Sequence, residues 1–135
     1  MTVLAADRNT QRRDGDAVNL PVAASVKIFG GALVATDANG RVTPGAVATT
    51  LKGAGRAEAL ADNSSGAAGA INVQVRKGVF KFANSPGDAI AAADIGNDCY
   101  IEDDQTVSKT DGTATRSVAG KIFAVDSDGV WVKFE

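Results

Sequence analysis

The sequence predicts a small all-β protein: a single-domain barrel or sandwich with at most one short helix near 88–95 and an extended N-terminal arm. Three observations lead there. Segments rich in β-branched and aromatic residues, several alternating apolar with polar, recur at Ile71 to Val75, Gly78 to Phe82, Cys99 to Glu102, Lys121 to Val125 and Val130 to Phe134. Glycine, asparagine and aspartate clusters, which turn a chain tightly, lie between them. The chain has 135 residues, enough for one compact core and hardly enough for two.

Residues 1–16 form the arm, with Arg8, Arg12 and Arg13 interleaved with Asp7, Asp14 and Asp16; taken alone, so polar a terminus is expected to be solvated. Residues 17–135 form the β-rich domain. Val26 to Phe29 and Ala32 to Ala35, separated by Gly30-Gly31, are expected as a strand pair or one bulged strand. Asp37-Ala38-Asn39-Gly40 is a hairpin turn, because Asn-Gly readily takes positive φ, and Arg41 to Thr43 returns from it before Pro44-Gly45. The alanine-rich stretch from Ala46 to Ala61 fits helix or strand equally, but Gly53 and Gly55 argue against a continuous helix, which leaves a strand over Arg56 to Leu60.

Asp62 to Gly69 is a loop by composition. The strands at Ile71 to Val75 and Val79 to Phe82 are joined around Arg76-Lys77-Gly78, and Asn84 to Gly87 ends that unit. Asp88 to Ile95 fits one or two helical turns, with Asp88 near the start and Gly96 just past the end. Asp103-Asp104 then turns Cys99 to Glu102 into Gln105 to Lys109, and Asp126 to Gly129 turns Lys121 to Val125 into Val130 to Phe134. Strand alternation puts Val130, Val132 and Phe134 on one face and Trp131 and Lys133 on the other. Either Trp131 is core and the opposite face meets a neighbour, or the reverse.

Composition narrows the function. The hydrophobic fraction is 44% but only 5% is aromatic and much of the rest is alanine, so the core should be thin and self-association would complete it. A formal charge of -2 has the wrong sign for neutralising phosphates, so no nucleic acid is expected as a partner. No apolar run is long enough to span a bilayer, and Leu4-Ala5-Ala6 is followed at once by Asp7 and Arg8, so neither a membrane partner nor a leader is expected and the protein should be soluble.

The chain has no histidine, the usual acid–base group near neutral pH, and Cys99 stands alone, without a disulfide partner or an activating imidazole. Asp126-Ser127-Asp128-Gly129 opens like a calcium loop, but the next ligand position falls on Val130 and the bidentate glutamate position lies beyond Glu135. Glu102-Asp103-Asp104 reads as a turn rather than a cation site. Gly53-Ala54-Gly55-Arg56-Ala57-Glu58 lacks the third glycine of a dinucleotide fingerprint, and Gly120-Lys121 lacks phosphate-loop spacing. Asn63-Ser64-Ser65 matches a glycosylation acceptor but reads as a polar loop, and Ser117 with Lys121 matches no hydrolase motif. No catalytic, cofactor-binding or metal residue is assigned, no cofactor is expected, and the protein reads as a non-enzyme.

The order of several pieces carries a resemblance. Arg8-Asn9-Thr10, Lys27 to Val34 with Gly30-Gly31, Asp62-Asn63 with Gly66-Ala67-Ala68-Gly69, Arg76 to Ser85, Ile95-Gly96 through Tyr100 to Val107, and Val118 to Lys121 through Asp128-Gly129 to Val132 follow one another along nearly the whole chain. This succession resembles the small capsid decoration, or cement, proteins of tailed bacteriophages. The resemblance implies a β-rich protein, made in the host cytoplasm, that assembles on the outer surface of the virion. There, commonly as a trimer, it would bind the major capsid protein lattice and stabilise the mature head. On that reading Arg8, Asn9, Thr10, Arg12 and Arg13 are candidates for the capsid interface, while Val130, Trp131, Val132 and Phe134 are candidates for an oligomer interface or the core. Two other classes stand beside it. A virion-surface module for a host glycan or protein would use loop residues such as Asn63, Ser64 and Asp104, and a small hydrolase would depend on Lys121 or Asp104.

Overall fold

The computed structural model describes residues 2–135 and is all-β. The strands are β1 (Ala17–Pro21), β2 (Lys27–Ile28), β3 (Leu33–Thr36), β4 (Val42–Pro44), β5 (Lys52–Ala57), β6 (Ala61–Asp62), β7 (Asn72–Arg76), β8 (Gly78–Asn84), β9 (Asp98–Ile101), β10 (Thr106–Ser108), β11 (Val118–Asp126) and β12 (Gly129–Phe134). The first sheet runs in the order β1-β7-β5-β3-β4 with antiparallel neighbours, and a single bridge from Val22 to Val42 brings its last strand round to the end of its first. The second is a closed barrel, β10-β8-β12-β11-β9, in which only the β10–β8 contact is parallel. Strands β2 and β6 form a two-stranded flap.

Side-chain alternation decides which face of each strand is buried. In β12, Val130, Val132 and Phe134 point inward while Lys133 is exposed, and in β7 Val73 and Val75 point inward between exposed Asn72 and Gln74. Two apolar clusters result. One fills the barrel, built from residues such as Phe82, Ile101, Ile122, Val132 and Phe134. The other fills the first sheet, with Val22, Ile28, Val42, Val73 and Val75.

Strand β3 belongs to both, because Leu33 and Ala35 join the barrel cluster while Ala32 and Val34 on the opposite side join the other. A strand covered on both faces has no polar alternation, which is why Ala32-Leu33-Val34-Ala35 is a continuous apolar run. Strand β5 makes close approach possible on its two sides. A Cβ at Gly53 would run into the carbonyl of Ala119 on β11, and one at Gly55, whose φ is 146°, into the carbonyl of Arg76 on β7.

The hairpins formed as expected. Gly40 has φ 76° and donates to the Asp37 carbonyl at 3.0 Å, while the Asp37 carboxylate accepts from the backbone of Asn39 and Arg41. Strands β9–β10 and β11–β12 pair across the two acidic turns.

Other expectations need correction. Val26 to Phe29 and Ala32 to Ala35 neither pair nor form one bulged strand. At Gly31, φ 89°, the chain is redirected and its N–H goes to the Ala57 carbonyl, so β2 pairs with β6 and β3 with β4 and β5. The strand expected over Arg56 to Leu60 begins earlier, at Lys52, and ends at Ala57. Strands β7 and β8 do not face each other, since the chain changes sheets at Lys77. The helix near 88–95 reduces to one 3-10 turn, Ala92–Asp94, in which the Asp94 carboxylate accepts from the Ala91 N–H at 2.8 Å. Asp88 is not part of it, because hydrogen bonds to the 110–116 loop hold it elsewhere.

Candidate functional site

The arm supplies the most accessible polar groups. Every residue from Thr2 to Asp16 is exposed, and the backbone hydrogen bond within it runs from Thr10 N–H to the Arg8 carbonyl at 3.0 Å. Arg8, Arg12 and Arg13 form no ion pair among the described residues, and Asn9 and Thr10 present their side chains to solvent beside them. Among the described residues the arm is fastened only at its root. Lys77 N–H donates to the Asp16 carbonyl at 2.7 Å, and the Asp16 carboxylate meets the Arg76 guanidinium at 3.0 Å.

That root continues into a charged ladder across β7 and β5. Glu58 accepts from Arg56 at 2.7 Å and from Arg76 at 3.2 Å, and the Arg56 guanidinium lies 4.3 Å from the centre of the Phe80 ring on the neighbouring barrel. The hydrogen bond from Arg56, followed by that from Arg76, holds the Glu58 carboxyl below its usual range. Sequence inspection did not group these residues, since Glu58 and Arg76 meet only through the β5–β7 pairing.

A second polar cluster closes one end of the barrel. The Asp88 carboxylate accepts from the Thr110 hydroxyl at 2.6 Å, the Thr110 N–H at 2.9 Å and Arg116 at 3.0 Å. Thr110, more than Arg116, keeps the Asp88 carboxyl below the ordinary aspartate range. Arg116 also reaches Glu102 at 3.4 Å, and Glu102 accepts from the Ser85 hydroxyl at 2.8 Å. Glu102 is therefore occupied as a loop latch. Asp103 accepts from the Gln105 N–H at 2.9 Å, as a turn residue does, and among the described residues no group of three or more Asp, Glu, His or Cys is gathered as a metal ion would need.

The candidates at the C-terminal strand separate. Val130, Val132 and Phe134 are core, packed in the barrel cluster. Trp131 lies on the outer face, with its indole N–H donating to Asp126 at 2.7 Å and the Lys81 ammonium 5.6 Å from its ring. This resolves the face ambiguity in favour of the inward valines. It also removes the motive for an apolar interface on β12, since the outer side chains are Trp131, already partnered, and Lys133.

Asn63 corrects the loop reading. It is 3% exposed, and its amide donates to the carbonyls of Ala23 at 2.9 Å and Ala67 at 3.0 Å. Buried in this way it offers nothing to a glycan, either as a ligand or as an attachment point, whereas Ser64 is exposed and Asp104 half-buried. Ser117 is likewise internal to the fold: its hydroxyl donates to the Ala48 carbonyl at 2.6 Å and accepts from Leu51 N–H at 3.1 Å. Lys121 is paired with Asp98 at 2.6 Å, on the outside of the barrel. A concavity of about 500 Å³ beside Ser117 is lined also by Thr49, Lys52 and Arg116, and the Ser117 hydroxyl there is taken up by its two backbone partners. Cys99 is fully buried, and burial pushes its thiol up to about 12. No helix of the described residues is long and apolar enough to cross a membrane.

Comparison of the chain with protein-family models, with curated proteins and with solved structures finds no match.

Proposed function

We propose that this chain is a non-enzymatic virion structural protein that binds the outer surface of a major capsid protein lattice and stabilises the mature head. The observation that carries this reading is a division of labour within the molecule. Charged side chains of the body are tied together in the Arg56–Glu58–Arg76 ladder and the Asp88–Thr110–Arg116–Glu102 latch, and Asn63 is tied to backbone carbonyls, whereas the arm's Arg8, Arg12 and Arg13 form no ion pair among the described residues. A closed barrel and a curled sheet, with β3 packed between their two apolar clusters, make a stiff body. An exposed arm of mixed charge, carrying three arginines and rooted in that body, suits a protein that must lie on one subunit and grip another.

Guanidinium groups form bidentate, charge-assisted hydrogen bonds with carboxylates, and several such contacts made together resist dissociation far better than each alone. Asn9 and Thr10 supply neutral donors and acceptors between them. The ordered succession of segments that resembles bacteriophage cement proteins supports the same partner, and oligomerisation as a trimer belongs to the proposal.

Co-sedimentation with expanded capsid shells tests it. The intact protein should pellet with shells, and Arg8→Ala, Arg12→Ala and Arg13→Ala together should weaken attachment, with the arginine contribution falling as salt is raised. Full occupancy by a variant lacking Thr2 to Gly15 would overturn the role given to the arm, and absence of binding by the intact protein would overturn the function.

A further inference from the structure

The longest strand edge left open in the first sheet is that of β1. In its pairing with β7, Asp16 and Val22 mark the two ends of the hydrogen-bonded positions, since Lys77 N–H donates to the Asp16 carbonyl and Val22 N–H to the Ile71 carbonyl. Antiparallel alternation then directs Val18 and Leu20 toward β7, while Ala17 and Asn19 turn their N–H and C=O groups away, along with the Pro21 carbonyl. Beyond Pro21 the edge is covered, because Ala23 N–H donates to the Val42 carbonyl at 2.9 Å. The open stretch is thus Ala17 to Pro21. No charge protects it, and only Pro21, which has no N–H to offer, limits it.

The same chain carries a segment suited to that edge. Thr2-Val3-Leu4-Ala5-Ala6 matches its length, and Val3 and Leu4, the arm's large apolar residues, are 87% and 71% exposed. Val18 and Leu20 on β1 are partly buried against the second apolar cluster and leave part of their surface uncovered at the sheet's margin. Val3 and Leu4 are adjacent, so one of them falls on the Val18–Leu20 side in either register.

The segment does not reach the edge of its own molecule in this structure. A tight hairpin at Asp14-Gly15 would need positive φ there, and Gly15 is outside the positive-φ glycines, with open space around it. We propose that Thr2–Ala6 of one copy adds as an extra strand to the open β1 edge of a second copy. The intervening residues from Asp7 to Gly15 span up to about 30 Å when extended, roughly twice the radius of gyration of a body this size, so the tip can cross to a neighbour. Two different surfaces are joined, so repetition closes a ring or a reciprocal pair. The linker keeps Arg8, Arg12 and Arg13 outside the new ladder, and the inference does not depend on capsid binding.

The test is made in solution without shells. Cysteine is placed at Val3, Leu4 or Ala5 in one preparation and at exposed Asn19 in another, and the two are mixed under mild oxidation; the buried native Cys99 does not compete. Covalent dimers formed in the mixture at about tenfold the level of either preparation alone are expected. Absence of such dimers at all three arm positions overturns the proposal, as does preferential closure within one chain when both cysteines share a molecule. Leu4→Pro, which removes an N–H from an exposed residue, should lower the mass by light scattering to the 13.7 kDa of one chain while the circular dichroism stays unchanged. A wild-type protein already at that mass at high concentration, or a Leu4→Pro variant that still associates, also overturns it.

Discussion

Replacing Asn63 with alanine separates a structural staple from a surface ligand. The Asn63 amide donates to the carbonyls of Ala23 and Ala67, tying the 62–69 loop to the chain leaving β1. Alanine removes both donors. Ala67 is exposed, so water can satisfy its carbonyl, but Ala23 is only partly accessible and its carbonyl loses most of its hydrogen bonding. A lost hydrogen bond costs about 1 kcal/mol and a poorly solvated orphan about 1–3 kcal/mol, which together give about 2–3 kcal/mol here. For a protein of this length that corresponds to a fall in Tm of about 8–12 °C. Thermal unfolding followed by circular dichroism at neutral pH provides the measurement. Asn63→Asp should be at least as damaging at pH 7, because its carboxylate faces two carbonyl oxygens and donates to neither. Its deficit should shrink as the pH falls and protonation restores one donor. Ser64→Ala, at the exposed neighbour, should change Tm much less. A Tm for Asn63→Ala within about 1 °C of wild type would refute the assignment and reopen the loop as a surface site.

Three further outcomes follow from the same contacts. Phe134→Ala, in the barrel core beside Phe80 and Phe82, should cost about 3–5 kcal/mol by chemical denaturation, against much less for Trp131→Ala on the outer face; equal losses would contradict the facing of β12. Cys99 should resist thiol reagents in the native state and react only as fast as the protein opens, which a colorimetric thiol assay in and out of denaturant can compare. The folded carboxyl of Asp88 is depressed, so its contribution is present above the unfolded aspartate range near 3.9 and lost as the pH falls through the folded value. Asp88→Asn should therefore lower Tm at pH 7, with the difference closing below about pH 4.

How much of this was legible in the sequence depended on the distance between partners. The β3–β4, β9–β10 and β11–β12 hairpins join neighbours through Asp37–Gly40, Asp103-Asp104 and Asp126–Gly129, so turn chemistry and alternation suffice to place them. Strand β5, written Lys-Gly-Ala-Gly-Arg-Ala, reads poorly as a strand because its glycines answer to the Ala119 and Arg76 carbonyls, which are remote in sequence. Strand β1 was hidden for a related reason, since Ala17–Pro21 becomes a strand only through β7. The arm's composition set Arg8, Arg12 and Arg13 apart from the body. Nothing in the local sequence marked Asn63 as buried, because one of its two acceptors, the Ala23 carbonyl, is 40 residues away in the chain.

The way the arm joins the body also determines how the protein bears load. The arm leads straight into β1, and the β1–β7 hydrogen bonds lie across the strand direction. Tension on the arm along that axis therefore strains the rungs from Asp16 to Val22 together, as in shear, instead of opening them one at a time from an end. The Asp16–Arg76 ion pair sits at the first rung to feel the pull, and through Glu58 the force passes into β5 at the middle of the sheet. On the proposed function, a shell that swells against this protein would thus meet a clasp that yields abruptly at high force rather than one that peels.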